Sequence, residues 1–178
     1  LSALYAFHAE IARVRDLVRE PLPGEIRLQW WRDVLDDPTG ASGEGNPLAE
    51  ALLACVKGHN LPVPVLQNMI DARIFDLYDD PMESRASLEG YAGETASALI
   101  QLSSLILDPA EAQKSASAAG HAGVAQAIDN RGWVARLSVA AHALIADEQR
   151  VPLHQHAAAV GAEHPVDVVL AIARGRDL

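Results

Sequence analysis

Three positions near the start of the chain, His8, Ala12 and Asp16, recur every four residues and would share one face of a helix. An imidazole and a carboxylate on such a face are candidate remnants of a ligand site. The competing reading is a helix face that no longer serves a site. Arg13 and Arg15 offer different chemistry, because a guanidinium forms paired hydrogen bonds to phosphate oxygens without any metal. Two arginines on one helix are more often a solvated surface.

Other polar pairs are weaker candidates. Asp71 and Asp76 lie five apart, which sets them on different helix faces and favours surface-charge or capping roles. Asp79 and Asp80 resemble a metal pair, but Pro81 follows at once and the local chemistry is that of a turn. His154 and His156 are two apart, so a helix would separate their rings and zinc is not expected.

The elements that must position these groups read as helices throughout. Leu4, Phe7, Ile11, Val14 and Val18 form an apolar stripe, and Pro21, Pro23 and Gly24 are expected to stop that helix. A short helix should then carry Ile26, Trp30 and Val34. Of the adjacent Trp30 and Trp31, only one can face the core of a regular helix, and the other would pack under a neighbour or join an exposed patch. The Gly-, Asp- and Ser-rich run from Asp36 to Asn46 reads as a mobile surface loop.

Asn46 and Pro47 look like an N-cap and first helical position, with Leu48, Leu52 and Val56 inward and Gly58 ending the helix. Val65, Met69, Ile70, Ile74 and Leu77 make the next face. Ser87 should open a longer helix running through Leu88, Tyr91, Thr95, Leu99, Leu102 and Ile106, closed by Asp108 and Pro109. An Ala-rich helical pattern follows from Ala110 to Ala146, where Gly120, Gly123 and Gly132 mark close packing, bends or breaks. Pro152 and Pro165 are further helix starts. No strand-like alternation or repeat competes with an all-α bundle.

Composition agrees. The 178 residues suit one domain, 49% of them are hydrophobic, and only 4% are aromatic, a mixture that favours packed helices. Lys plus Arg is 14 against 24 for Asp plus Glu, a formal charge of −10 that disfavours a nucleic-acid partner. The single cysteine, Cys55, excludes an internal disulfide and fits a reducing compartment. No apolar run is long enough to span a bilayer, and no charged-then-apolar leader precedes Ala3. The expected location is therefore a cytoplasm or an organelle matrix after processing, and the start at Leu1 suggests a trimmed product or a partial sequence.

The stretch from Ala3 to Asp16, Ala-Leu-Tyr-Ala-Phe-His-Ala-Glu-Ile-Ala-Arg-Val-Arg-Asp, resembles the first motif of the squalene/phytoene synthases. The motif reads roughly Tyr-Ala-x-Cys-Arg-x-x-Asp-Asp-x-x-Asp, and its carboxylates hold magnesium against a prenyl diphosphate. Register puts Ala12 and Arg13 on the paired aspartates and Asp16 on the last. Ala12 offers no ligand and Arg13 the opposite charge, so Asp16 alone cannot assemble the cluster. The second motif, Asn-x-x-Arg-Asp-x-x-x-Asp, would fall on His121 to Val134; Asn130 is kept, Trp133 and Val134 replace Arg and Asp, and Asp129 is out of register.

Three further segments resemble a divergent branch of that family, one that includes a mitochondrial assembly factor for respiratory complex I and its bacterial relatives. They are Arg27 to Arg32, Val56 to Leu61, and Tyr91 to Leu99. The order is right from Ala3 to about Val134, and the remainder matches loosely. The resemblance implies an all-α single-domain bundle of the isoprenoid synthase type over residues 1–178, without the family's C-terminal helices.

It also implies remnants of a catalytic site at Asp16 and Asn130, substrate contacts at Arg13, Arg15, Tyr91 and Thr95, and Asp16 as the metal position. Tyr91, Thr95, Ser97 and Leu99 lie where the family helix bends around prenyl chains; the plainer reading has their hydroxyls bonded to their own helix.

Three functions follow as expectations. The first is a non-catalytic scaffold acting through protein partners, such as those of respiratory-complex assembly, with no cofactor and with peripheral membrane contact allowed. The second is a working head-to-head prenyl transferase using magnesium, Asp16 and an arginine. The third is an isoprenoid- or lipid-binding protein that keeps the apolar tunnel. The location that fits the branch is a bacterial cytoplasm or a mitochondrial matrix, at or near the inner membrane.

Overall fold

The computed structural model describes residues 1–129 apart from positions 79, 81 and 83. Expectations placed on Asp79, Pro81, Asn130, Gly132, Trp133, Val134, Pro152, His154, His156 and Pro165 lie outside the described residues. The described residues are helical, with no strand among them.

The first helix, α1 (Ser2–Ala12), buries Leu4, Phe7 and Ile11, the expected stripe. It yields at Arg13 to the four-residue α2 (Val14–Leu17), where Val14 continues the buried face. Pro21 does more than stop the preceding helix. It stands at the first position of α3 (Pro21–Asp36), where its missing N–H costs nothing.

The inward face of α3 differs from the expected one. Gly24, Leu28, Trp31, Val34 and Leu35 are buried, while Ile26 points outward. Trp31 is 4% exposed and Trp30 36%, so one indole does face the core as helix geometry requires. The Phe7 ring meets Trp31 edge-on at a centroid distance of 5.2 Å, locking α1 to α3.

The Asp36–Asn46 connection is a hydrogen-bonded turn. The Asp37 carboxylate accepts from the backbone N–H and hydroxyl of Thr39 and from those of Ser42. These donors hold the Asp37 acid well below the usual carboxylate range. Asn46 then caps α4 (Pro47–His59), its side-chain oxygen accepting from the N–H of Leu48 and Ala49. The helix runs through Gly58 and ends at Asn60, whose φ of 50° is the left-handed stop that glycine was expected to supply.

The next helix is α5 (Val63–Phe75), burying Leu66, Met69, Ile70, Ala72 and Arg73. Then α6 (Arg85–Ala92) begins three residues earlier than the sequence suggested, because Ser84, not Ser87, is the cap; its hydroxyl oxygen accepts from the N–H of Ser87 at 3.1 Å.

From α6 the chain passes through a π-helical turn (Gly93–Ser97) into α7 (Ala98–Leu107) without leaving helical backbone angles. The expected long helix is therefore present, with its hydrogen-bond register widened by one residue in the middle. Asp108 caps α8 (Pro109–Asp129) by accepting from the N–H of Ala110 and Glu111.

The main core joins α1, α3, α4, α5 and α7 around Leu4, Phe7, Leu28, Trp31, Leu52, Leu66, Met69, Leu99 and Leu102. Helix α8 lies along α7 and the π turn. A Cβ at Gly123 would stand 2.3 Å from Ser97 Cα and 2.4 Å from its backbone nitrogen, so this position admits no side chain. Ser97 Oγ donates to the Gly120 carbonyl at 2.7 Å across the same contact. Gly123 thus marks close packing, one of the roles read from the sequence.

Candidate functional site

Three elements converge on a buried polar cluster. Helix α5 brings Arg73 and, at its C-terminal cap, Asp76; α6 brings Tyr91; α1 brings His8. Arg73 and Asp76 are three residues apart, so they meet on one helix face and pair at 3.1 Å while both are more than nine-tenths buried. Tyr91 closes the group. Its hydroxyl accepts from Arg73 Nη1 at 2.5 Å and donates to the Asp76 carboxylate, whose oxygens lie 2.9 and 3.1 Å away. The Arg73 guanidinium also stands 5.6 Å from the Tyr91 ring centroid.

His8 completes the cluster from the other side, with Nε2 at 3.1 Å from Arg73 Nη2. An arginine can only donate, so Nε2 must accept and the ring must be neutral with its proton on Nδ1. Burial is the larger cause of that neutrality and the Arg73 charge the smaller; together they lower the His8 pKa to about 4. Arg73 Nε has no hydrogen-bond partner among the described residues. It is an uncompensated cost inside an otherwise satisfied network.

Beside the cluster is a cleft of about 670 Å³ between the end of α5 and α6, walled by Ala72, Phe75, Met82 and Tyr91 and edged by Asp80 and Glu94. Tyr91 is thus both wall of the cleft and member of the network. Arg73 and Asp76 fix the Tyr91 hydroxyl, and Phe75 packs against the Tyr91 ring at a centroid distance of 6.2 Å.

The residues singled out from the sequence are scattered around this centre. Asp16 is exposed on α2 and does not share a continuous helix with His8, because the chain turns at Arg13. Arg13 is exposed and pairs with Glu10 at 3.7 Å, while Arg15 is half-buried. Thr95 is buried and its hydroxyl donates to the Tyr91 carbonyl one turn back, the plainer of its two readings. Asp71 is bonded to Arg32 of α3.

Asp76 does stand at the C-cap of α5, but it is buried and bonded to Arg73 and Tyr91, which corrects the surface-charge alternative. Arg73 was missed outright. The available signal was Arg73-Ile74-Phe75-Asp76-Leu77, an opposite-charge pair at helical spacing set among apolar neighbours.

The donor set does not suit a family-type magnesium cluster. Ala12 and Arg13, next to one another on the first motif, offer no carboxylate, Asp16 is exposed on α2, and Asp76 is already paired with Arg73. Among the described residues no group of three or more His, Cys, Asp or Glu side chains could hold a metal ion.

Residues 1–131 match the family model described as squalene/phytoene synthase. The chain belongs to that family. Its all-helical plan is accordingly that of the isoprenoid synthases, and the resemblance carried by Ala3–Asp16 and Tyr91–Leu99 is borne out at family level. Among curated proteins, it is similar to NADH dehydrogenase (ubiquinone) complex I, assembly factor 6 of Rattus norvegicus, 38% identical over 127 residues, or 71% of this chain and 38% of the relative. The Homo sapiens protein of the same name is 36% identical over 126 residues, with the same shares. The chain thus spans under two fifths of the length of these relatives. No solved structure matches.

Proposed function

We propose that this squalene/phytoene synthase family member is a non-catalytic scaffold that acts in assembly of respiratory complex I through protein partners. What supports the reading is that the first motif, in the register its resemblance gives, carries Ala12 and Arg13 where the family has paired aspartates, while on α5 the buried Asp76 is bound to Arg73 and Tyr91. A diphosphate leaving group is activated by divalent charge, and a carboxylate already paired with a guanidinium is a poor ligand for it. The names of the two relatives supply the partner class.

On this reading the protein has no resident cofactor. Its place is the matrix side of the mitochondrial inner membrane or the corresponding bacterial cytoplasmic face. Among the described residues no helix is long and apolar enough to cross a membrane, which fits peripheral contact with such a surface.

The test has two parts. The purified protein is incubated with farnesyl or geranylgeranyl diphosphate and magnesium, and cells lacking the gene are complemented with wild type or Asp16→Ala while assembled complex I is followed on native gels. No prenyl product and equal rescue by both forms are expected. Turnover abolished by Asp16→Ala would instead establish the prenyl transferase.

The cleft beside Tyr91 favours one further reading, retention of an isoprenoid or lipid chain against Phe75 and Met82. Native mass spectrometry of the purified protein would detect it as a defined added mass.

A further inference from the structure

The outer face of α3 carries an apolar stripe that the described residues leave exposed, although Trp30 also meets the Trp31 ring edge-on at 4.9 Å. Leu22 and Ile26 are 65% and 63% exposed, and Trp30 follows four residues later at 36%. Single exposed apolar residues are ordinary; three in line at one-turn spacing form a stripe of the kind that contacts another surface. The stripe borders a groove of about 400 Å³ between α3 and α5, floored by Leu28 and Ile70 and walled by Ile26 and Ile74.

Carboxylates outnumber cations along this part of α3, where Glu25, Asp33 and Asp36 stand against Arg27 and Arg32. Glu25 accepts from the Tyr78 hydroxyl, Asp33 from the Gln29 amide at 2.7 Å, and Asp36 from the Gln67 amide. Each of these donors is neutral and so brings no counter-charge. Arg32, the cation in the lining, is already bonded to Asp71. The hydrogen bond to Glu25 is the main cause that raises the Tyr78 pKa.

We propose that the groove between α3 and α5 takes an amphipathic helix of a partner protein whose apolar stripe is flanked by lysines and arginines. An apolar helix face would cover Leu22, Ile26 and Trp30, and basic flanks would meet Glu25, Asp33 and Asp36. This names the partner chemistry of the scaffold reading and rests on it.

The test uses the full chain and two synthetic helical peptides with the same leucine stripe, one flanked by lysine and arginine and one by glutamate, with affinity read by fluorescence anisotropy. The basic peptide is expected to bind at least about tenfold more tightly than the acidic one. Its binding is expected to weaken with added salt, and Ile26→Glu to lower its affinity about tenfold or more. Because residue 26 is exposed, Ile26→Glu should leave the melting temperature unchanged, which separates lost docking from lost folding.

Equal binding of the two peptides, or undiminished binding by Ile26→Glu, overturns the proposal. So does a homodimer by light scattering, or binding to anionic vesicles, that Ile26→Glu abolishes, since a second copy or a membrane would then own the stripe. Failure here with intact complementation leaves the assembly reading standing. Prenyl turnover would remove that reading whatever the peptides do.

Discussion

His8 Nε2 accepts a hydrogen bond from Arg73 Nη2 at 3.1 Å, an arrangement that requires an uncharged imidazole. The folded pKa of about 4 lies below the ordinary value of 6.5, so between these values the unfolded chain binds a proton that the folded chain refuses. Stability attributable to His8 is therefore complete above about pH 6.5, falls as pH drops towards 4, and levels off below that. The full excursion is at most about 3 kcal/mol. Chemical denaturation at pH 7 and pH 4.5 should show a smaller loss for His8→Gln, which keeps an acceptor for Arg73 and cannot titrate.

Asp76 is the carboxylate that pairs with Arg73 at 3.1 Å, and removing it takes that counter-charge from a buried guanidinium. Asp76→Ala is expected to cost about 3–5 kcal/mol, while Tyr91→Phe, which removes one hydroxyl and keeps the ring over the cation, should cost about 1–3 kcal/mol. The double variant should lose less than the sum, because both deletions strip the same guanidinium. Additive losses in urea melts would mean that the three groups do not act as a unit.

How far the sequence foretold this arrangement differs by element. The α1 stripe and the Asn46 and Asp108 caps were legible because each is local: a repeat of three and four, or an acceptor just before a helix. The orientation of α3 was not, since Ile26-Arg27-Leu28 and Trp30-Trp31 permit two apolar faces and only contact with Phe7 chooses Trp31. For the site, the absence of carboxylates at Ala12 and Arg13 is plain in the sequence, but the Arg73–Asp76–Tyr91–His8 network spans three helices. The local pattern of α5 offered the Arg73 and Asp76 pair among apolar neighbours, but not the helices that its last turn would meet.

The α8 contact with the π turn makes a sharp prediction about glycines. At Gly123 an added Cβ meets the Ser97 Cα and nitrogen at 2.3 and 2.4 Å, backbone atoms that cannot swing aside. Gly123→Ala should destabilise by about 2–3 kcal/mol or displace α8 from the π turn. Helical Gly58 has nothing within 4 Å of such an atom, so Gly58→Ala should stabilise by roughly 0.5–1 kcal/mol. Thermal melts of the two variants should therefore move in opposite directions.

The start of α4 depends on one side chain. Asn46 accepts from the N–H of Leu48 at 3.0 Å and of Ala49 at 3.1 Å, satisfying two of the donors that a helix start leaves open. Asn46→Ala should cost about 1 kcal/mol, whereas Asn46→Asp keeps the acceptor and adds a favourable charge at the helix N-terminus. Asn46→Asp is therefore expected to melt at or above the wild-type temperature at pH 7. On acidification through the carboxyl's titration range, near pH 4, that advantage should vanish as the added charge is neutralised. An Asp variant no more stable than the Ala one at neutral pH would mean that the amide's own N–H₂ group, not its oxygen, faces the helix.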